Sequence, residues 1–488
     1  MLAEALHAAG PGEIPVVVAM LSGEVRQGRI GIGFAALRTV SGTPSSPEAS
    51  LRVADVDATL ERVSTLSGPG SGAERLGLLE ELLAAATEEE QRFLMSVLAG
   101  DLRQGALEGV LIEAAAVAAG VSGDLVRRAV MLSGDLGAVC EAALSGGAEA
   151  LSGIRLELFR PVQPMLAQSA TSAAGAVAAT GRASIEAKLD GARIQVHHRT
   201  GEVRVFSRSL RDVTEAVPEV VEAVGEFADA AMVLDGEVLS FGDDGRPLPF
   251  QVTMSRFGRR LDVDEMRARI PLVPVFFDCL HHAGEDLVDR PLLERSAVLE
   301  ACVPGEFLVE GIVTDDPASA GEFLDAVLEE GHEGVVVKAL DTPYEAGRRG
   351  AAWLKVKPAH TLDLVVLAAE WGSGRRRGFL SNLHLGAFDP ATGGFVMLGK
   401  TFKGLTDEML ARQTERLLEL EERRDDWVVH VRPELVVEVA IDGVQASSRY
   451  PAGMALRFAR VKGYRDDKRP EEADTVATVR AIHEGGAG

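Results

Sequence analysis

The stretch Ile185–His198 reads IEAKLDGARIQVHH, two alternating apolar and polar runs on either side of the turn-forming Asp190-Gly191. Alternation at period two is the mark of a half-buried strand, so a strand is predicted to end in a turn here. At that turn stand Lys188, Asp190, Gly191 and Arg193, a KxDGxR element. A lysine is a nucleophile only without its proton, which requires burial or neighbouring cations; Arg193 and the later lysines are available for that. The other reading is a solvated Lys188–Asp190 pair at a hairpin turn, with Gly191 present for its backbone freedom. The element by itself leaves the two readings level.

Ahead of it, the chain reads as helices joined by Gly and Ser breaks. Across Ala73–Ala99, Leu76, Leu79, Leu82, Leu83, Phe93, Leu94 and Val97 recur at helical spacing, with acidic residues on the other face. The alanine-rich run Ala114–Gly120 suits close helix packing. Pro161, Pro164 and Gly181 then punctuate the chain, and alternation takes over, also in Val203–Ser207, Met232–Ser240 and Leu272–Leu280. Past Lys357-Pro358, strands are predicted at Leu362–Ala369, His384–Phe388, Val396–Thr401 and Leu435–Ile441, with one charged helix over Asp407–Glu422. The predicted fold is multi-domain: an all-α N-terminal domain over 1–160, an α+β domain over 161–358, and over 359–488 a C-terminal β-barrel of five or so strands, a small Greek-key barrel of the OB-fold type.

With 488 residues the chain exceeds what one core usually organises, and 46% hydrophobic with 25% charged residues excludes a disordered chain. No stretch approaches the roughly 18 apolar residues of a membrane span. The start, MLAEALHAAGPGEIP, lacks the basic and then apolar pattern of an export signal, so a cytoplasmic location without membrane contact is expected. Cys140, Cys279 and Cys302 stand too far apart for a CxxC zinc site or a disulfide framework. His197 and His198 fall on opposite faces of a strand rather than on one metal. The net charge of −24 argues against a nucleic-acid partner until charge is read locally. Ala455–Pro470 holds six basic residues, Arg457, Arg460, Lys462, Arg465, Lys468 and Arg469, against two acidic ones, Asp466 and Asp467, a basic face on an acidic body.

Further short elements follow in order: SRS (Ser207–Ser209), LDGEV (Leu234–Val238), FFDCL (Phe276–Leu280), EGVVVK (Glu333–Lys338), YEAGRRGAAWLKVK (Tyr344–Lys357) and RFARVKGYRDDK (Arg457–Lys468). Singly, each is also an ordinary turn or buried strand. In order and together with KLDGAR, they resemble the covalent nucleotidyltransferases, and among them the ATP-dependent DNA ligases of the larger bacterial and archaeal type. The resemblance implies that Lys188 carries AMP, that Glu186 contacts adenine, that Arg193, Arg208 and Arg349 belong to the nucleotide site, and that Phe277 stacks on the purine. It further implies that Glu237 touches the ribose or a metal ion and that Glu333 is a metal carboxylate. Lys355 and Lys357, two apart on a strand and so on one face, would meet the α-phosphate, and Arg465 and Lys468 the leaving pyrophosphate. ATP is then the substrate and Mg²⁺ or Mn²⁺ the metal, hard cations suited to carboxylates.

LSGEVRQGRIGIG (Leu21–Gly33) and LAGDLRQGALEGVLIEAAA (Leu98–Ala116) resemble the DNA-binding domain of the larger ligases, and PVQPMLAQ (Pro161–Gln168) the entry to their adenylation domain. RFAR has Ala459 where the family often has proline, with the charged positions intact. An NAD-dependent ligase would carry a four-cysteine module after the barrel, and no cysteine follows Cys302. The implied enzyme is a monomer that seals nicks in double-stranded DNA during replication, repair or recombination, nucleoid-associated and recruited by a factor the sequence does not identify. An RNA ligase or capping enzyme is one rival, and a nick-sensing scaffold without catalysis the other. The run Arg375–Arg377, in a Gly-rich loop, is a candidate phosphate contact.

Overall fold

The computed structural model describes the chain apart from residues 11, 29, 101, 103–106, 228–229, 260, 347–349, 359 and 485–488. Contacts group it into two compact units, Met1–Val356 and Lys357–Gly488. The helical and the mixed segments share the first unit, and no strand precedes Gln168 among the described residues.

The helical periodicity of Ala73–Ala99 resolves into two helices, Ser71–Ala85 and Glu88–Ala99. Thr87 breaks it: its hydroxyl accepts from the Glu90 N–H at 3.3 Å while the Glu90 carboxylate accepts from the Thr87 N–H at 2.8 Å, a reciprocal cap that starts a helix. Leu79, Leu82, Leu83, Leu94 and Val97 are buried as expected, whereas Phe93 stays exposed. In the helix Leu107–Ala119 the small side chains of Ala115 and Ala116 are buried against neighbouring helices.

The strands of the first unit are β1 (Gln168–Ser169), β2 (Ala183–Ala187), β3 (Ala192–Arg199), β4 (Glu202–Ser207), β5 (Met232–Leu239), β6 (Val273–His282), β7 (Glu285–Asp286), β8 (Gly311–Thr314), β9 (Val335–Ala339) and β10 (Trp353–Val356). They form two five-stranded sheets, in the orders β1-β10-β9-β2-β8 and β4-β3-β5-β6-β7. The turn after β2 therefore carries the chain from one sheet to the other. It passes so close to β5 that a Cβ on Gly191 would lie 2.3 Å from the Val238 carbonyl oxygen, so only glycine fits. Each sheet has its own core, Ile185, Val335 and Val337 in one, Ile194, Leu234 and Phe276 in the other.

The second unit contains β11 (His360–Trp371), β12 (Leu380–Asp389), β13 (Gly394–Thr401), β14 (Glu421–Asp425), β15 (Val428–Val431), β16 (Val436–Ile441), β17 (Gly443–Ala446), β18 (Met454–Arg457) and β19 (Arg460–Tyr464). These exceed the five or so strands expected, because short charged strands such as β14 carry no alternation to read. The helix expected over Asp407–Glu422 stops at Glu419, where β14 takes over. β11 organises the sheet: β12 pairs along one edge, while β16 and β15 share the other, at His360–Val365 and Ala368–Glu370. The result is an OB-like sheet around a core of Leu362, Leu364, Leu385 and Val439.

All three cysteines are buried, and burial pushes the Cys140 thiol up to about 12. A maleimide should therefore leave the native chain unlabelled and modify all three thiols in denaturant; rapid labelling without denaturant would contradict the packing. No helix among the described residues is long and apolar enough to cross a membrane.

Candidate active site

Lys188 follows directly on β2, and the backbone fixes what it faces. Its N–H donates to the Gly334 carbonyl at 2.7 Å, and its own carbonyl accepts from the Glu333 N–H at 3.1 Å. This reciprocal clamp sets the two side chains against each other, and the Lys188 ammonium is ion-paired with the Glu333 carboxylate. The two side chains are 20% and 19% exposed, open enough for a substrate to replace one partner.

A cleft of about 960 Å³ opens beside this pair, lined from both sheets of the first unit. Glu237, on β5, accepts from the Gly191 N–H at 3.0 Å. Loss of hydration pushes its carboxyl up to about 7, against the opposing pull of Lys188 and Arg193. Glu186, on β2, is buried and ion-paired with Lys338, and the Ser184 hydroxyl donates to it at 3.0 Å. Burial raises its carboxyl above the ordinary range, with Lys338 opposing.

Arg193, on β3, is anchored on every side. It donates to both Asp235 oxygens at 3.0 and 2.6 Å, to the Met165 carbonyl at 2.6 Å and to the Tyr344 hydroxyl at 3.2 Å. Burial works against its charge, but Asp235 holds it protonated. Its charge is thus matched internally, so it is not a free cation to favour neutral Lys188, as the sequence had suggested. Phe277 and Trp353 form an aromatic wall, edge to face with centroids 6.0 Å apart. Arg193 lies 5.5 Å from the Phe277 centroid, and the Lys338 ammonium 4.5 Å from both.

Arg208, exposed in the turn after β4, and Lys355, on β10, also line the cleft. Lys357 does not share a strand face with Lys355, because β10 ends at Val356; it belongs to the second unit and donates to Asp442 at 2.5 Å. Arg465 and Lys468 are also in the second unit, where both donate to Asp363, at 2.8 and 2.5 Å. Arg349 lies outside the described residues. In the Arg375–Arg377 run, Arg375 and Arg377 are exposed, while Arg376 donates to the Phe402 carbonyl.

No group of three or more His, Cys, Asp or Glu side chains suited to a metal occurs among the described residues. Glu237 and Glu333 are two hard oxygen donors, which fits Mg²⁺, an ion that fills its shell from one or two carboxylates, substrate phosphates and water. Lys338 was not singled out from the sequence as a site residue. The alternation of EGVVVK could have found it, since Val335 and Val337 enter the core while Val336 and Lys338 line the cleft.

A lysine at a strand end, paired with a carboxylate and set in a cleft with an aromatic wall, is an arrangement compatible with the class of nucleotidyl-transferring enzymes, and the comparisons with known proteins decide it. Three family profiles match along the chain: DNA ligase N terminus over residues 21–116, ATP dependent DNA ligase domain over 164–357, and ATP dependent DNA ligase C terminal region over 376–468. The chain is 61% identical to a protein of Anaeromyxobacter sp. (strain Fw109-5) named "Probable DNA ligase", over 99% of this chain and 93% of that one. It is 55% identical to "DNA ligase B" of Mycobacterium tuberculosis (strain CDC 1551 / Oshkosh), over 99% and 95%. A solved structure described as Pmar-Lig_Pre shares the fold, with a TM-score of 0.60 at 21% identity over 95% of this chain and 94% of that one. The chain belongs to the ATP-dependent DNA ligase family, and it is an enzyme, a DNA ligase that uses ATP.

Proposed function

We propose that Lys188 is the residue that carries AMP between ATP and the 5′-phosphate of a nick in duplex DNA. The observation behind this reading is the ion pair between Glu333 and Lys188, which lines the cleft, since the carboxylate is placed to take the proton that Nζ must lose. Nζ attacks the α-phosphorus, an Nζ–P bond forms, and the bond to the pyrophosphate oxygen breaks. The 5′-phosphate oxygen of the nick then displaces Lys188 from phosphorus, and the 3′-hydroxyl displaces AMP.

In this reading Phe277 and Trp353 flank the purine, Glu186 accepts from its exocyclic amine with Lys338 as counter-ion, and Arg208 and Lys355 bind sugar and phosphate. Arg193 holds the wall in place through Asp235 and Tyr344. Glu237 and Glu333 would hold Mg²⁺ or Mn²⁺, which supplies charge neutralisation at the phosphates. Lys357 meets the α-phosphate, Arg465 and Lys468 act from the C-terminal OB barrel on pyrophosphate, and Arg349 binds the nucleotide. The assignment extends to a helical DNA-binding domain over 1–160, an adenylation domain over 161–358, the barrel over 359–488, and a monomer recruited to DNA in the nucleoid for replication, repair or recombination.

The reading is tested by labelling the chain with α-labelled ATP and Mg²⁺ and chasing with nicked duplex DNA or with nicked duplex RNA. Label that leaves only on DNA, with joining, supports it. Label that ignores DNA and leaves on RNA would transfer the assignment to RNA ends.

Glu237 gives this reaction a pH signature. Below about pH 7 the carboxyl keeps its proton, which a divalent cation must displace. The Mg²⁺ needed for half-maximal labelling should fall about tenfold from pH 6 to pH 8 and then level, whereas an ordinary glutamate would have levelled near pH 5. The protonated carboxyl favours the fold at acid pH, and that contribution fades as pH rises through about 7. Glu237→Gln should remove the pH dependence of the Mg²⁺ requirement; its persistence would assign the titration elsewhere.

A further inference from the structure

Asp363 lies on β11, its side chain 9% exposed, with both backbone groups fixed: its N–H donates to the Asp474 carboxylate at 2.7 Å and its carbonyl accepts from the Asp474 N–H at 2.8 Å. A single oxygen, Oδ2, accepts from Arg465 Nη1 at 2.8 Å and from Lys468 Nζ at 2.5 Å. The other oxygen is buried without a hydrogen-bond partner among the described residues. Arg465 uses its remaining edge on Asp467, at 2.9 and 2.8 Å. The two cationic side chains are 28% and 32% exposed, so a buried anion gathers the tips of two half-open cations.

Two like charges on one turn repel, and both side chains are long and flexible. A buried carboxylate on a rigid strand counters the repulsion and holds the tips near one point, close enough to reach oxygens of a single diphosphate. A fold-stabilising surface pair would not require a buried acceptor shared by two cations, since exposed pairs contribute little. We propose that Asp363 is a positioning residue that holds Arg465 and Lys468 together as one pyrophosphate-binding pair. The inference rests on the assignment of those two residues to pyrophosphate.

Pyrophosphate takes part only in the adenylation of the lysine and its reversal, so joining of a nick that already carries AMP involves no ligand for this pair. The test uses the full chain, first discharged with pyrophosphate, and compares Asp363→Asn with the unaltered protein in three measurements. Transfer of labelled AMP to the chain should slow roughly 10- to 100-fold. The pyrophosphate concentration that half-discharges the adenylated chain should rise by a similar factor, while joining of pre-adenylated nicks stays within about twofold. In an Arg465→Ala/Lys468→Ala background, Asp363→Asn should change adenylation no further. Should that double variant adenylate normally, the pyrophosphate assignment fails and the inference with it. Should the double variant be defective while Asp363→Asn is normal, Asp363 alone loses its role. Equal loss of adenylation and of pre-adenylated nick joining would make Asp363 a residue of the fold and overturn the inference.

Discussion

Lys188→Ala is expected to accept no covalent AMP and to lose nick joining by on the order of 10⁴-fold or more, because the first step has no other nucleophile to use. The clamp that presents the residue is made of backbone groups, Lys188 with Gly334 and Glu333, so it survives the substitution. Glu333 is 19% exposed and can be hydrated once its partner is gone, so melting temperature should change little. Lys188→Arg should be equally inactive, since a guanidinium does not give up its proton at working pH. Mass spectrometry of the intact chain after incubation with ATP reads the result directly. An AMP adduct on the alanine variant would move the nucleophile to another lysine of the cleft.

Arg295→Leu is expected to cost about 3–5 kcal/mol of stability, roughly a 5 °C drop in melting temperature for a unit as large as Met1–Val356. Arg295 and Asp278 are both wholly buried and joined by two hydrogen bonds, at 2.8 and 2.9 Å. Removal of the cation leaves the carboxylate of Asp278 unpaired where water does not reach. Adding Asp278→Leu should recover part of the loss, because the uncompensated charge is then gone too. The effect should also reach the cleft. Arg295 donates to the Thr342 carbonyl at 3.1 Å and lies 5.8 Å from the centre of the Tyr344 ring, and Asp278 follows Phe277 on β6. Calorimetry of the single and double variants checks this; a single variant as stable as the parent would show that the buried pair contributes nothing net.

Local features of the site were legible in the sequence, whereas its long-range pairings were not. Asp190-Gly191 marks a turn by backbone chemistry alone, and alternation in Met232–Ser240 and Leu272–Leu280 places Glu237 and Phe277 on strands within a residue or two of the observed ends. The carboxylate opposite Lys188 stands 145 positions away, and only sheet order brings it near. The same holds for Asp235 beside Arg193 and Asp363 beside Lys468: each acid looks like any strand residue until its partner is known. Lys357 was misplaced for a different reason, since the spacing of two lysines says nothing about where a strand ends. The nine strands among the described residues of the second unit exceed the prediction in part because Glu421–Asp425 is charged at every position and offers no apolar face to detect.

The sealed state of Cys140, Cys279 and Cys302 has a practical consequence for spectroscopy. Dyes can be attached through one introduced cysteine in each unit, for instance Glu306→Cys and Ala391→Cys at exposed positions, without first deleting the native thiols. Energy transfer between such dyes on individual molecules would then record the separation of the two units through each chemical step, in the chain's native sequence apart from two surface side chains.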